Sequence, residues 1–269
     1  MDVPELYLTL RRAKAENPAT LRFIHSWRPH SIQAKSRLRG IVGRNKESDG
    51  NKEGPMPEIN RVIDLSHHNQ NLDFEQIKSA GNIFGIIHKA SQGVKYVDPT
   101  YASHKSGTLN AGMLWGAYHF GTDSDGVDQA QHFLDAVRPD NQTLLVLDFE
   151  ANPQGPSMSL EEARGFVTHI HDVTGTWPGF YSGHYIKQLL GTNSDPILAN
   201  CWFWLAQYGP TAVVPPNWNT WTMWQYTDGG AGPDPHGVPG AGLCDRDKFS
   251  GDEAGLTQLW GVVPVLQQA

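Results

Sequence analysis

Two carboxylates, Asp148 and Glu150, follow the apolar run Leu144-Leu145-Val146-Leu147. The run reads as a buried strand. Residues two apart on a strand point the same way, so Asp148 and Glu150 project together while Phe149 packs on the opposite side. Carboxylates at the end of a buried strand are costly unless paired, hydrogen-bonded or used. Two carboxyls whose surroundings push their pKa values apart suit acid-assisted cleavage of a glycosidic bond. One protonates the leaving oxygen and the other stays ionised.

Other acids recur at predicted strand ends. Asp64 closes Val62-Ile63-Asp64, and Asp245 and Asp247 sit on the last strand. A single Asp in such a place is usually a turn former or a helix cap. In a closed barrel, however, the first and last strands are neighbours and the C-terminal strand ends meet on one face. Asp64, Asp148, Glu150 and Asp245 could then share one cleft. Aromatic residues thicken toward the same region: Trp202, Trp204, Tyr208, Trp218, Trp221, Trp224 and Tyr226. About half are expected to fill the core, because aromatic rings bury large areas, and the inward-facing ones to stack on sugar rings.

Histidine is abundant, with 12 residues. His169 and His171 lie on a predicted helix, where positions i and i+2 do not share a face. No metal is expected, since the carboxylates are better placed than any His group, although His67-His68 follows the first strand as in some metal-dependent barrels. His119 ends the third strand and is open to either a substrate contact or a structural role.

Positioning these groups takes a repeating framework. Strands are predicted over 61–65, 84–89, 114–120, 143–149, 178–182, 202–207, 222–226 and 244–249. Helices are predicted near 74–80, 99–111, 126–136, 159–173 and 183–190, with Ser159 and Glu162 as a capping box. Alternating strands and helices argue for a parallel α/β sheet, and eight strands argue for closure into a barrel. Gly/Pro-rich loops such as 229–242 replace helices near the end. The expected fold is therefore an irregular TIM-like barrel of eight strands and about five helices, helix-poor in its last third.

Charge narrows the function. Residues 1–55 carry 11 Lys and Arg against 6 Asp and Glu, a net of +5; residues 56–269 carry 10 against 22, a net of −12. An acidic body argues against nucleic acid as a partner, and no apolar run reaches the ~20 residues of a membrane span. Residues 1–55 read as a basic extension, either a targeting or surface-binding arm or, as favoured here, a non-functional flexible segment preceding a start at Met56. Residues 56–269 read as the barrel domain. No apolar core of a secretory signal is evident. Cys201 and Cys244 are expected to be buried thiols, with a disulfide open only in an oxidising compartment.

These motifs together resemble glycoside hydrolase family 25, the muramidases of the Chalaropsis type. The matching stretches are Asp64-Leu65-Ser66, Lys89-Ala90-Ser91-Gln92-Gly93, Gly116-Ala117-Tyr118-His119-Phe120 and Asp148-Phe149-Glu150. Further on come Phe180-Tyr181-Ser182, Trp204-Leu205-Ala206-Gln207-Tyr208, Trp224-Gln225-Tyr226-Thr227 and Cys244-Asp245-Arg246-Asp247-Lys248-Phe249. The resemblance implies hydrolysis of the β-1,4 bond between N-acetylmuramic acid and N-acetylglucosamine in peptidoglycan. Glu150 is then the general acid, and Asp148, Asp64 and Asp245 complete the acidic cluster, with Asp148 and Asp64 ionised. Tyr118, His119, Tyr181, Trp204, Gln207, Tyr208, Trp224 and Gln225, all within those motifs, are candidate substrate contacts. No cofactor is implied. A monomer acting outside the cytoplasm on bacterial cell wall is expected, with the export route open. Substrate assistance by the 2-acetamido group, with net retention, is the expected route. Two departures stand out: Gln92 replaces a carboxylate common at that position, and Cys-Asp-Arg-Asp replaces the usual Val-Asp-Leu-Asn. The rival reading is a barrel that binds peptidoglycan or chitin without cutting it.

Overall fold

The computed structural model describes residues 57–261. The expected extension over 1–55 lies outside the described residues. Strand β1 (Glu58–Leu65) leads to helix α1 (Phe74–Ser79), β2 (Gly85–Gln92) and a two-residue strand β3 (Tyr96–Val97). Next come α2 (Tyr101–Asn110), β4 (Leu114–Phe120), α3 (Gly126–Val137), β5 (Leu144–Asp148) and α4 (Leu160–Thr174). The chain continues through β6 (Gly179–Ser182), α5 (His184–Leu190), β7 (Trp202–Ala206) and β8 (Met223–Thr227). A small hairpin of β9 (Gly237–Val238) and β10 (Gly242–Leu243) precedes β11 (Asp245–Ser250) and α6 (Glu253–Leu259).

Eight strands close the barrel. β1, β2, β4, β5, β6, β7 and β8 run parallel in that order, and β11 fills the gap between β8 and β1. β11 is antiparallel to both neighbours, which departs from the parallel sheet expected from the sequence. The reason is its connection. A parallel return needs a long crossover, usually a helix, and the link from β8 carries only the β9–β10 hairpin.

Period-two alternation sorts the strand residues into two cores. Val62, Ile87, Leu144, Val146, Trp204, Met223 and Phe249 fill the lumen. Their neighbours Ile63, Ile86, Leu145, Leu147, Phe180, Phe203 and Leu205 face outward under the helices. Leu256 and Trp260 join the lumen cluster, and the Trp260 indole donates to the Trp115 carbonyl at 2.9 Å. Helix α6 thus plugs the barrel at the end away from the carboxylates. Each large apolar side chain so buried contributes roughly 1.5–3 kcal/mol, which offsets the cost of the polar mouth above.

The helices start where local chemistry sets them. Ser159 accepts from the Glu162 amide and Glu162 accepts from the Ser159 amide, completing the expected capping box of α4. Asp125 caps α3, and these two helices lie close. A Cβ on Gly126 would meet the Glu162 carbonyl oxygen at 1.9 Å, so only glycine permits that approach. Both cysteines are buried free thiols.

Candidate active site

The C-terminal ends of the parallel strands form one mouth, and the start of β11 joins it. Asp64 on β1 pairs in register with Asp245 on β11, so the reversed strand brings the acid at its beginning level with the acid at the end of its neighbour. A cleft of about 490 Å³ opens there. Asp64, Asp148, Glu150 and Asp245 all line it. Tyr118, Tyr181, Trp204, Tyr208 and Gln225 complete its walls.

Gln225 organises the floor. Its amide nitrogen donates to Asp64 Oδ2 at 2.7 Å. Its carbonyl oxygen accepts from Tyr181 at 2.8 Å and from Tyr208 at 3.1 Å. Beneath it, the Trp204 indole packs edge-on against Tyr181 and donates to Asp247 Oδ1 at 2.8 Å. A single ladder of hydrogen bonds therefore fixes Asp64 and two aromatic walls relative to one another.

Burial governs the electrostatics. It raises Glu150, and it raises Asp148 well above the ordinary carboxylate range, with the Glu150 charge adding to the effect and Lys89 opposing it. Asp64 is also pushed well up, by burial and by Asp245 and Asp247, against the donor from Gln225. Asp245 is pushed up to about 6 by burial and by Asp228. Asp148 and Asp64, expected as anions, have little solvent in the closed barrel, so their anions depend on nearby donors and cations. Such a cluster titrates as a unit. Lys89 is the cation whose charge opposes that rise at Asp148. Its ammonium donates to Gln92 at 2.7 Å and lies 5.0 Å from the centre of the Phe120 ring. Gln92 is neutral, so it holds the ammonium without cancelling its charge.

Three expected substrate contacts lie elsewhere. His119 is fully buried on the outer face of β4, between Ser91 (2.8 Å) and Gln129 (3.2 Å), and stacks on Phe166. Tyr118 already faces the lumen, and adjacent strand residues cannot both do so. The same rule separates Trp224 from Gln225: the Trp224 ring packs in the outer core and donates to the Gln207 carbonyl at 2.7 Å. The Gln207 side chain binds Lys187 and the Thr211 carbonyl and does not line the cleft. Of the seven aromatics expected to crowd the region, Trp204 and Tyr208 reach the cleft. Lys89 and Asp247 were missed as site groups. A signal was available for Asp247, which shares a strand face with Asp245, whereas Lys89 is on β2, separated from the Asp148 strand by β4.

No group of three or more His, Cys, Asp or Glu side chains among the described residues has metal-holding geometry. His67 is bound instead to Asp98 at 2.8 Å, and His171 stacks on Trp177.

A closed α/β barrel with a carboxyl-rich, tyrosine-walled cleft at its C-terminal mouth is the arrangement of a barrel glycosidase. Residues 63–234 match the model of glycosyl hydrolases family 25. Lysozyme M1 of Streptomyces globisporus is 33% identical over 221 residues, spanning 73% of this chain and 70% of that protein. The N,O-diacetylmuramidase of Chalaropsis sp. is 28% identical over 184 residues, 62% of this chain and 87% of that one. Among solved structures, the lysozyme of Streptomyces coelicolor superposes with a TM-score of 0.66 at 30% identity, covering 75% of this chain and 97% of the other. The family GH25 lysozyme of Aspergillus fumigatus gives 0.65 at 30% identity, with 76% and 99% covered. The chain belongs to glycosyl hydrolases family 25 and is a glycoside hydrolase. The matched segment stops short of Asp245, which the antiparallel β11 returns to the cleft.

Proposed function

We propose that this chain hydrolyses the β-1,4 bond between N-acetylmuramic acid and N-acetylglucosamine in peptidoglycan, with Glu150 as general acid. The observation that carries the reading is the meeting of Asp64, Asp148, Glu150 and Asp245 in one cleft. Relatives whose names are lysozyme and N,O-diacetylmuramidase support the substrate class.

Burial raises Glu150, the direction that suits a general acid giving its proton to the glycosidic oxygen as the C1–O bond breaks. Asp148 and Asp64 stabilise the positive charge that develops at the anomeric carbon. The acetamido oxygen of the same sugar attacks C1, giving a cyclic intermediate. Water then adds to C1 and returns its proton to Glu150, so the configuration is retained. Tyr118, Tyr181, Trp204, Tyr208 and Gln225 present rings and polar tips for the sugar and its hydroxyls.

Residues 56–269 act as the catalytic domain, as a monomer and without residues 1–55, on cell wall outside the cytoplasm. No described helix is long and apolar enough to cross a membrane. Mass spectrometry of fragments released from purified peptidoglycan is the direct test. Muramic-acid reducing ends support the assignment; glucosamine reducing ends, or no release at all, overturn it. Release also separates this reading from a barrel that only binds glycan.

A further inference from the structure

A second cavity opens at the opposite end of the barrel, where β5, β6 and β7 begin. Its volume is about 1450 Å³, larger than that of the cleft. Leu134 from α3, Leu145 from β5, Val173 from α4 and Leu259 from α6 line it, with the rings of Trp177 and Trp202. Val173 is 58% exposed, an apolar side chain left in water at the groove edge. Asp140 is the one ionisable group among the described lining residues. Its carboxylate already accepts from the Gln142 amide and the Thr143 hydroxyl. The groove is therefore apolar and nearly uncharged, and a surface of this kind gains from an apolar cover.

The chain itself leads into this groove. Gly261 follows α6 in the left-handed region, with φ +69°, and a Cβ there would meet the Asn141 carbonyl oxygen at 2.9 Å. Asn141 and Gly261 are both walls of the groove. The sequence continues Val262-Val263-Pro264-Val265-Leu266 before turning polar at Gln267-Gln268. Pro264 disfavours helix at Val263, and β-branched valines favour extended chain. Five extended residues span about 17 Å, whereas β5 to β7 is two strand spacings, about 10 Å. We infer that residues 262–266 lie across the groove as an extended strap, covering Val173, Trp177 and Trp202 and holding the α6 plug in the barrel. Two other occupants fit less well. A saccharide needs free polar groups and open ring faces, but the Trp260 indole is spent on the Trp115 carbonyl and His171 stacks on Trp177. The basic residues 1–55 would find a single carboxylate there, already bonded.

The test uses the full chain and needs no substrate. A photo-reactive benzophenone side chain at position 265 is expected to link, on irradiation, to peptides of the same molecule that carry Val173, Trp177 or Trp202. Mass spectrometry of the digested product maps the link. Links between two molecules would give the groove to a second copy, and links to another face of the same molecule would place the segment elsewhere. Either result overturns the inference, as does the absence of any link. Val265→Asp puts a charge into the apolar groove and is expected to lower Tm by roughly 3–10 °C. Gln268→Asp, past the apolar run, should leave Tm within about 1 °C. Equal Tm values for Val265→Asp and the wild type overturn the inference, as does an equal loss in both variants. Where the bulky probe unseats the segment, this pair of variants decides.

Discussion

Gln225 donates a 2.7 Å hydrogen bond to Asp64 across 161 positions of chain. Closure of the barrel brings them together, since only the intervening β11 separates β8 from β1. The same amide group receives both Tyr181 and Tyr208, so one neutral side chain joins a charged floor to two aromatic walls. Gln225→Leu should leave Asp64 without its donor and raise its pKa, moving the acid limb of the activity profile upward. An unchanged limb would mean that the contact is only structural.

Glu150→Gln keeps side-chain size and removes the transferable proton. General acid catalysis is worth about 10²–10⁴-fold, and a loss of that order is expected in reducing-end release from peptidoglycan. Circular dichroism should be unchanged, because the side chain sits at the cleft edge and not in the core. Activity near that of the wild type would refute the role of Glu150.

The carboxyl cluster should leave a mark on stability. Asp64, Asp148, Glu150 and Asp245 are all raised in the folded state. Between its ordinary and its raised pKa, each folded carboxyl binds more protons than the unfolded chain does, so stability falls as pH rises through that window. For Asp245 the window runs from 3.8 to about 6. Asp148→Asn removes one such group at little cost in hydrogen bonds, since Oδ1 has no partner. The variant should therefore be more stable than the wild type by roughly 0.5–2 kcal/mol near neutral pH, seen as a higher Tm, and the gain should shrink near pH 4. Differential scanning fluorimetry across pH checks this, and a gain independent of pH would contradict it.

His119→Ala should separate structure from catalysis. It leaves a cavity beside Phe133 and Phe166 and strands the Ser91 hydroxyl. Destabilisation of about 2–4 kcal/mol is expected from urea unfolding. At a temperature where the variant is folded, KM should match that of the wild type. A raised KM with unchanged stability would return His119 to the substrate.

All eight barrel strands and five of the six α-helices among the described residues were legible in the sequence. Runs such as Leu144–Leu147 mark buried strands, and the Ser159/Glu162 pair marks a helix start whatever surrounds it. Helix α6 escaped because its seven residues carry little periodic signal. Two of the three misplaced contacts have one cause. His119 and Trp224 were chosen with their neighbours Tyr118 and Gln225, but each strand can turn only one of the two inward. Which one it turns is settled by the strands on either side.

Local chemistry along the chain was enough to determine the strands, the helix caps and the paired acids at 148 and 150, because periodicity, capping and burial cost act over a few residues. Only the tertiary structure decided that β11 runs backwards, that Asp245 therefore meets Asp64, that the Lys89 charge acts on Asp148, and that Asp247 lies sealed beneath them. Those relations depend on hydrogen-bond ladders between distant strands and on the solvent that barrel closure removes. Neither is a property of any short stretch of sequence.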